Sequence, residues 1–404
     1  MERTEQGPPP AYPFRAAFCT AGAVLSLLFL RRPESFLHPQ FFAEDGPVFY
    51  VGAARDPWGS ILVPYAGYLH VAARLVAALS SRLSPLWVPA AYFSVSVGAV
   101  LALTLALFSR RLDLPHPGLF ALGVVLVPHT GEVFDNLTNL QWITAVGLVV
   151  LLLARDPEKP AQWLLDVAYA AVISLSGVFS VLFAPLFAAR AAVRRTPAAI
   201  ATACIVCAGA AIQAHEILHF PSPAAANENA AFLALATFGQ RVWMSLLSPP
   251  SVSDAAPVWA RAAAGSAGLA LLVALSLGRG AARPRRIVFA ASLLLLVAAA
   301  IYRFRGGILE LGSVRNGDRY FFAPKVFLFW ILALQLRRAS ALRWLSGALL
   351  AALVANSCLN FRFERWKDYD WPHWAGRMAS EERVVVPINP EGFTFTYERP
   401  KPAR

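Results

Sequence analysis

Charge is what this sequence has least of. Only 15% of its 404 residues are Asp, Glu, Lys or Arg, against roughly a quarter in soluble domains. Hydrophobic residues make up 57% of the chain and recur in runs of near-spanning length. An ordinary water-soluble globule is thereby excluded. The runs are rich in Ala, Leu and Val and lack apolar/polar alternation, which argues against a transmembrane β-barrel. Cysteine is scarce as well. Cys19, Cys204, Cys207 and Cys358 all fall within apolar runs. Cys204 and Cys207 have C-x-x-C spacing but no partner ligands, so all four are expected to be small buried hydrophobes rather than zinc or redox groups. The segment Met1 to Arg15, with Glu2, Glu5 and three consecutive prolines, lacks the basic start of a cleaved signal. The first apolar run is therefore expected to stay as an anchor. Acidic residues are outnumbered, leaving a formal charge of +12. No basic helix carries interleaved aromatics, however, so nucleic acid is not an expected partner. Most Arg and Lys residues sit at the ends of apolar runs, where they orient a membrane chain.

What is present is a series of spans. The pattern predicts an all-α polytopic membrane protein of about eleven transmembrane helices, with interfacial helices in outer loops. The first span covers about Ala16 to Leu30, the second Leu86 to Phe108 and the third Leu119 to Pro128. A fourth reaches Leu153, and two more form a hairpin around Ser176-Gly177. The seventh covers Ala198 to Ala214, the eighth Val258 to Leu277 and the ninth Ile287 to Tyr302. The tenth covers Phe321 to Leu336, and the eleventh ends near Asn356. Tyr68 to Leu83 and Ala231 to Leu247 read as interfacial or re-entrant helices, because His70, Arg74, Arg82, Gln240 and Arg241 interrupt them. With eleven spans, the clusters at Arg110-Arg111, Arg155/Lys159, Arg190/Arg194/Arg195, Arg279 to Arg286 and Arg337/Arg338/Arg343 share one side. The positive-inside bias makes that side cytoplasmic and puts the C-terminus outside. Arg31-Arg32 then falls on the outer side, where it would suit an anionic lipid head group. The division is residues 1–359 as the transmembrane region, with 31–85 as the first outer loop, and 360–404 as a short extracytoplasmic tail.

The outer loops hold the unusual residues, and loops carry function when a rigid scaffold positions them. Glu44 and Asp45 are adjacent acids in Phe41-Phe42-Ala43-Glu44-Asp45-Gly46-Pro47. At an apolar interface a carboxylate loses solvation, its pKa rises, and it suits proton transfer. The same acids can cap a helix that starts near Pro47; the two roles are compatible. His70 and Arg74 share a helix face. Asp135, Asn136, Asn139 and Trp142 combine amides with an aromatic plate, a common way to hold a sugar, or else form an N-cap with a belt tryptophan. Arg315, Asp318, Arg319 and Tyr320 precede Lys325. Arginine forks and a lysine suit a phosphate, and Lys325 inside an apolar run is costly unless it has a partner. The alternative there is an Asp318–Arg319 surface pair with snorkelling side chains. No metal site is read: His215 and His219 have helical spacing but no third ligand.

The long outer loop after the first span, its motif Phe41-Phe42-Ala43-Glu44-Asp45-Gly46, and the hairpin Ser176-Gly177-Val178-Phe179 to Arg194-Arg195 resemble the GT-C superfamily of membrane glycosyltransferases. Those enzymes take sugars from polyprenyl phosphates and carry one or two acids in the first extracytoplasmic loop. The resemblance implies an inverting transfer to a cell-envelope glycan or lipid acceptor at the outer face of a bacterial inner membrane. Glu44 or Asp45 would be the base. Cations from the second half would neutralise the departing phosphate. No cofactor is required by this reading, and a divalent cation stays open. Membrane lipids are further partners. The tail of only some tens of residues departs from the oligosaccharyltransferases, and a large soluble C-terminal domain like theirs is not expected. Two other activities are compatible with the residues: a flippase or transporter of a lipid-linked precursor, and a glycan polymerase or ligase. The first calls for ionisable residues in mid-span and internally repeated halves, and neither is evident. The tail has strands at Val384 to Pro390 and Phe393 to Tyr397. It is too small to be stable alone, so it is expected to dock on the outer loops or the membrane, as a cap or as part of an acceptor site.

Overall fold

Apolar runs that open on proline become helices with definite starts. Proline opens Pro117–Leu126, Pro160–Ser174 and Pro197–His219, where its missing N–H costs nothing. The computed structural model describes residues 14–220, 230–304, 312–337 and 341–399. The Asn227-Glu228-Asn229 stretch and Arg338 lie outside them. The described chain is mostly helical. Six of its helices are long and apolar enough to cross a membrane. They are α1 (Phe14–Arg31), α3 (Val88–Leu107, extended by the turn Pro85–Trp87), α8 (Pro197–His219), α10 (Val258–Leu277), α11 (Arg283–Arg303) and α13 (Ala341–Leu359).

The other five expected spans are helical but shorter: α4 (Pro117–Leu126), α5 (Leu140–Leu153), α6 (Pro160–Ser174), α7 (Phe179–Arg194) and α12 (Arg319–Gln335). At about 1.5 Å per residue, the 10 residues of α4 cover half of a roughly 30 Å hydrocarbon core. Helix length thus supports six crossings rather than eleven. Burial singles out two of the short helices. Every residue of α12 from Phe321 to Gln335 is buried, as is most of α5, so these are central, whereas α6 keeps only Ala170, Ile173 and Ser174 buried. All four cysteines are exposed, not buried as expected. They lie on α1, α8 and α13, helices whose outer surface is apolar and accepts a thiol without a core to receive it.

The molecule has two chemically distinct ends. At one, Arg111 grips Asp166 with two bonds of 2.9 and 2.5 Å. Arg190 and Arg194 both reach Asp156 at 3.4 Å, and Arg285 reaches Asp113 at 2.9 Å. Arg337 lines a cavity with Arg285. The basic stops therefore gather at this end. At the other end lie the loop between α1 and α3, the turn before α5, the α6–α7 hairpin tip and the tail. The first loop contains α2 (Val71–Ser80), the core of the expected interfacial helix. The Ala231–Leu247 segment is α9 (Ala230–Phe238) followed by a widened turn, Gly239–Met244. In the tail, α14 (Trp371–Ser380) precedes β1 (Arg383–Ile388) and β2 (Phe393–Glu398). The strands pair antiparallel with Val386 opposite Phe395. Their buried face packs with Phe41, Tyr50, Tyr92 and Trp371.

Candidate functional site

Asn389, just past β1, continues the sheet into the acid turn. Its N–H donates to the Phe41 carbonyl at 3.2 Å, and its carbonyl accepts from Ala43 N–H at 2.5 Å. Phe42 stacks on Trp366 with centroids 5.1 Å apart. Ala43 is held at φ +46°, the left-handed region that costs a non-glycine residue about 1–2 kcal/mol. Glu44 and Asp45 follow in a tight three-residue turn, where successive side chains diverge by about 120°. The two acids therefore face different surroundings.

Asp45 faces inward and is 1% exposed. Thr138 donates to its Oδ1 through both its backbone N–H and its hydroxyl, each at 2.8 Å. Phe42 N–H donates to Oδ2 at 3.3 Å. Burial pushes the Asp45 carboxyl up to about 7, against the opposing pull of the Thr138 bonds. Glu44 faces outward and is only half-buried. Tyr65 donates its phenol to Glu44 Oε1 at 3.2 Å. Tyr65 and Tyr68 close a two-residue turn through bonds of 2.9 and 3.2 Å. Its central Ala66 and Gly67 both have positive φ, as a type I′ hairpin requires. A Cβ on Gly67 would also press on the Phe220 ring at 3.0 Å.

The rest of this loop is locked from α8 and the hairpin. Gln213 bonds the Leu69 N–H and carbonyl at 2.8 and 3.1 Å. Gly177 N–H donates to the same carbonyl at 2.9 Å. Arg319 enters from the start of α12 and donates to Glu132, with both side chains partly exposed. Its charge reaches the same phenols as Glu44. Burial and Glu44 push Tyr65 up to about 12, while Arg319 pulls the other way. Tyr68 is raised by burial and by Tyr320, and it too feels Arg319 and Glu44. Glu44 and Tyr65 thus meet through a hydrogen bond, and the Arg319–Glu132 pair lies close enough for its charge to act on Tyr65 and Tyr68. The first offers a half-buried carboxylate suited to proton transfer, the second a partly exposed cation.

Several expected binding residues are placed elsewhere. Arg32 and Asp135 form a buried pair at 3.3 Å; burial pushes Asp135 up to about 6 while Arg32 opposes it. Arg31 is buried as well and donates to Ser357 at 2.5 Å. The Arg31-Arg32 pair therefore does not meet a lipid head group. Asn136 donates to the Glu132 and Phe134 carbonyls at 2.9 and 2.6 Å, and Asn139 donates to the Glu132 carbonyl at 2.7 Å. Their amide donors satisfy the turn itself instead of facing a sugar. Trp142 is buried between Phe179 and Tyr320 at 5.0 and 5.1 Å. Lys325 has the partner it needs: Asp318 Oδ1 at 2.8 Å and the Pro128 carbonyl at 3.0 Å. Asp318 is thereby taken from the expected pairing with Arg319, and Lys325 from a phosphate. His70 is buried against Tyr68, ring centroids 4.5 Å apart, and burial and then Arg74 push it down to about 3. Arg74 is buried beside the Phe49 ring. Arg315 is exposed.

Other residues of the site have no signal in the sequence. Glu132 and Tyr65 stand in polar turns where no spacing singles them out, and the same holds for Thr138 and for Gln141, whose amide lies 3.5 Å from the Tyr68 phenol. Arg241 is fully buried and donates to the Ser313 and Asn316 carbonyls. Asp254 bonds Val314 N–H and the Ser313 hydroxyl at 2.9 and 3.1 Å. These two residues fix the segment that delivers Arg315 and Arg319. A second feature adjoins the acid turn: a cavity of about 510 Å³ between Glu34–Gln40 and the tail. It is bordered by the pairs Glu34–Arg365 at 3.0 Å, His38–Asp368 at 3.6 Å and Lys367–Glu391 at 2.5 Å. Among the described residues no three His, Cys, Asp or Glu side chains gather closely enough to hold a metal. Compared with known proteins, the chain matches no family model, no curated protein and no solved structure, so its function is read from these residues alone.

Proposed function

We propose that the chain is a GT-C-like membrane glycosyltransferase that moves a sugar from a polyprenyl phosphate to a glycan or lipid acceptor. The supporting observation is the contrast between the two acids. Asp45 is enclosed by Thr138 and Phe42, whereas Glu44 is open and bonded to Tyr65, a phenol on which Arg319 also acts. Glu44 accepts the proton of the acceptor hydroxyl as that oxygen attacks the sugar's anomeric carbon. The bond from that carbon to the phosphate oxygen breaks, and polyprenyl phosphate leaves. Arg319, with the exposed Arg315 nearby in sequence, stabilises the charge that develops on it; a preorganised cation is most effective there. Asp45 is a positioning residue that holds the turn. The cavity beside the tail, with its carboxylates and cations, is the place for the acceptor.

This reading includes eleven crossings with Glu44 and Arg319 on the outer face of a bacterial inner membrane. The shorter helices support it because each joins the two ends of the molecule. α12 begins at Arg319, beside Glu132, and ends near Arg337 in the basic cavity. α6 begins near the Arg111–Asp166 pair and leads to Ser176, which pairs with His70. Helices of this length can cross with help from the loops at their ends.

Transfer of a radiolabelled sugar from a polyprenyl phosphate in membranes tests the assignment. Glu44→Gln should lower the rate by about 100-fold or more, the usual scale of a lost general base. Arg319→Gln should do so comparably. Retention of full transfer by Glu44→Gln would remove the base from this reading.

A further inference from the structure

The basic end contains a cavity of about 810 Å³ that the proposed chemistry does not use. Its floor is formed where α1, α3, α4, α11 and α12 converge. Three guanidinium groups line it, from Arg285, Arg286 and Arg337, against one carboxylate, Asp113. Arg286 is buried and donates to the Gly278 carbonyl, so one of these charges is built into the wall. Asp113 is itself shared between Arg285 at 2.9 Å and Arg155 at 3.8 Å, which leaves the cavity strongly positive. Two helices point their N-termini at the same space: α4 through His116, Pro117 and Gly118, and α11 through Ala282, Arg285 and Arg286. The positive ends of both helix dipoles add to the arginines. The remaining wall is apolar, with Ala16, Phe108, Leu119 and Leu334. Three of the bordering helices, α1, α3 and α11, have spanning length. A positive pocket with greasy walls at the end of membrane-length helices is complementary to a ligand with one anionic and one apolar part.

We propose that this cavity binds the phosphate head group of an anionic phospholipid, with its acyl chains along the apolar wall. The proposal is independent of the transferase reading. It also assigns the lipid contact to the end of the molecule opposite Arg31-Arg32. The leaflet facing basic loops is the one rich in anionic lipid, and an arginine near such a surface contributes about 1 kcal/mol, or about fivefold in binding.

The test uses the full chain, delipidated and reconstituted into nanodiscs with equal phosphatidylglycerol and phosphatidylcholine, followed by native mass spectrometry of retained lipid. Wild type should retain phosphatidylglycerol preferentially. Arg285→Gln and Arg337→Gln should each lower that preference by about fivefold. Arg337 is exposed, so its variant keeps the test readable if losing the Arg285–Asp113 pair upsets folding. Arg343→Gln, at an exposed position on α13 outside the cavity, removes the same charge from the same basic end and should lower the preference clearly less than either cavity variant. Unchanged preference in Arg337→Gln, or an equal fall in Arg343→Gln, would overturn the site. A third arm uses phosphatidylcholine-only discs with millimolar inorganic phosphate. If free phosphate raises the melting temperature as much as phosphatidylglycerol does, the cavity takes a soluble anion and the lipid assignment fails.

Discussion

Adjacent residues of the same type can have opposite fates, and Glu44 and Asp45 show why. Asp45 has its oxygens filled by Thr138 and Phe42, so replacing it removes a buried acceptor. Asp45→Asn puts an amide donor against the Phe42 N–H or the Thr138 donors, a mismatch worth about 1–3 kcal/mol. The pH dependence of that loss has a definite sign. The folded Asp45 carboxyl lies near 7, above its ordinary range. Its contribution to stability is then fully present below the unfolded value, near 4, and is lost as pH rises through 7. His70 acts oppositely. With its folded value near 3, its contribution is present above about 6.5 and is lost as pH falls. Wild type alone would mix the two. The difference in melting temperature between wild type and Asp45→Asn isolates the first and should shrink steadily from pH 4 to pH 7. A difference that grows over this range would mean that Thr138 stabilises the charged form more than burial destabilises it.

Elements carry the next level of dependence. The tail is an integral wall of the site, because Asn389 bonds the backbone on both sides of Phe42 and Trp366 stacks on its ring. Gly46 has no room for a side chain; a Cβ there would sit 2.7 Å from the Phe395 ring. Removing everything after Arg383 therefore takes away both the strand face and Asn389. The truncated chain should still insert, since its long apolar helices are untouched, but should lose acceptor use more than donor binding. Full transfer with unchanged acceptor dependence would reduce the tail to packing. The first strand was legible as a short valine-rich run closed by turn residues and the second because Phe393 to Tyr397 alternates; the helices were legible as long apolar runs. α14 was not, since its ten residues mix Trp, His, Arg and small residues without a long apolar run. The partners in the site were legible only where they are local. Asp318 and Lys325 are two helical turns apart, within reach of a sequence argument. Thr138 for Asp45, Glu132 for Arg319 and Gln213 for Leu69 come from distant stretches, and no spacing rule connects them.

At the scale of the whole molecule, the two ends decide how the chain lies in a membrane. Ala16 and Thr20 of α1 border the basic cavity, while the last residue of α1, Arg31, accepts at its carbonyl from Phe363 N–H at 3.0 Å. The helix that begins at the basic end thus delivers the chain to the end where the tail docks. α13 arrives there too, through the Ser357 bond to Arg31. The described chain starts at one end and finishes at the other. On the proposed reading of eleven crossings, an odd number, the two termini fall on opposite sides of the membrane. Arginines concentrated at the starting end favour its retention on the cytoplasmic side. A reporter fused after Arg404 should then be active in its extracytoplasmic form, such as alkaline phosphatase, and silent as a fluorescent protein that matures only in the cytoplasm. The opposite pattern would put Glu44 and Arg319 on the cytoplasmic face. It would also remove the geometric basis for a polyprenyl-phosphate donor at the outer surface.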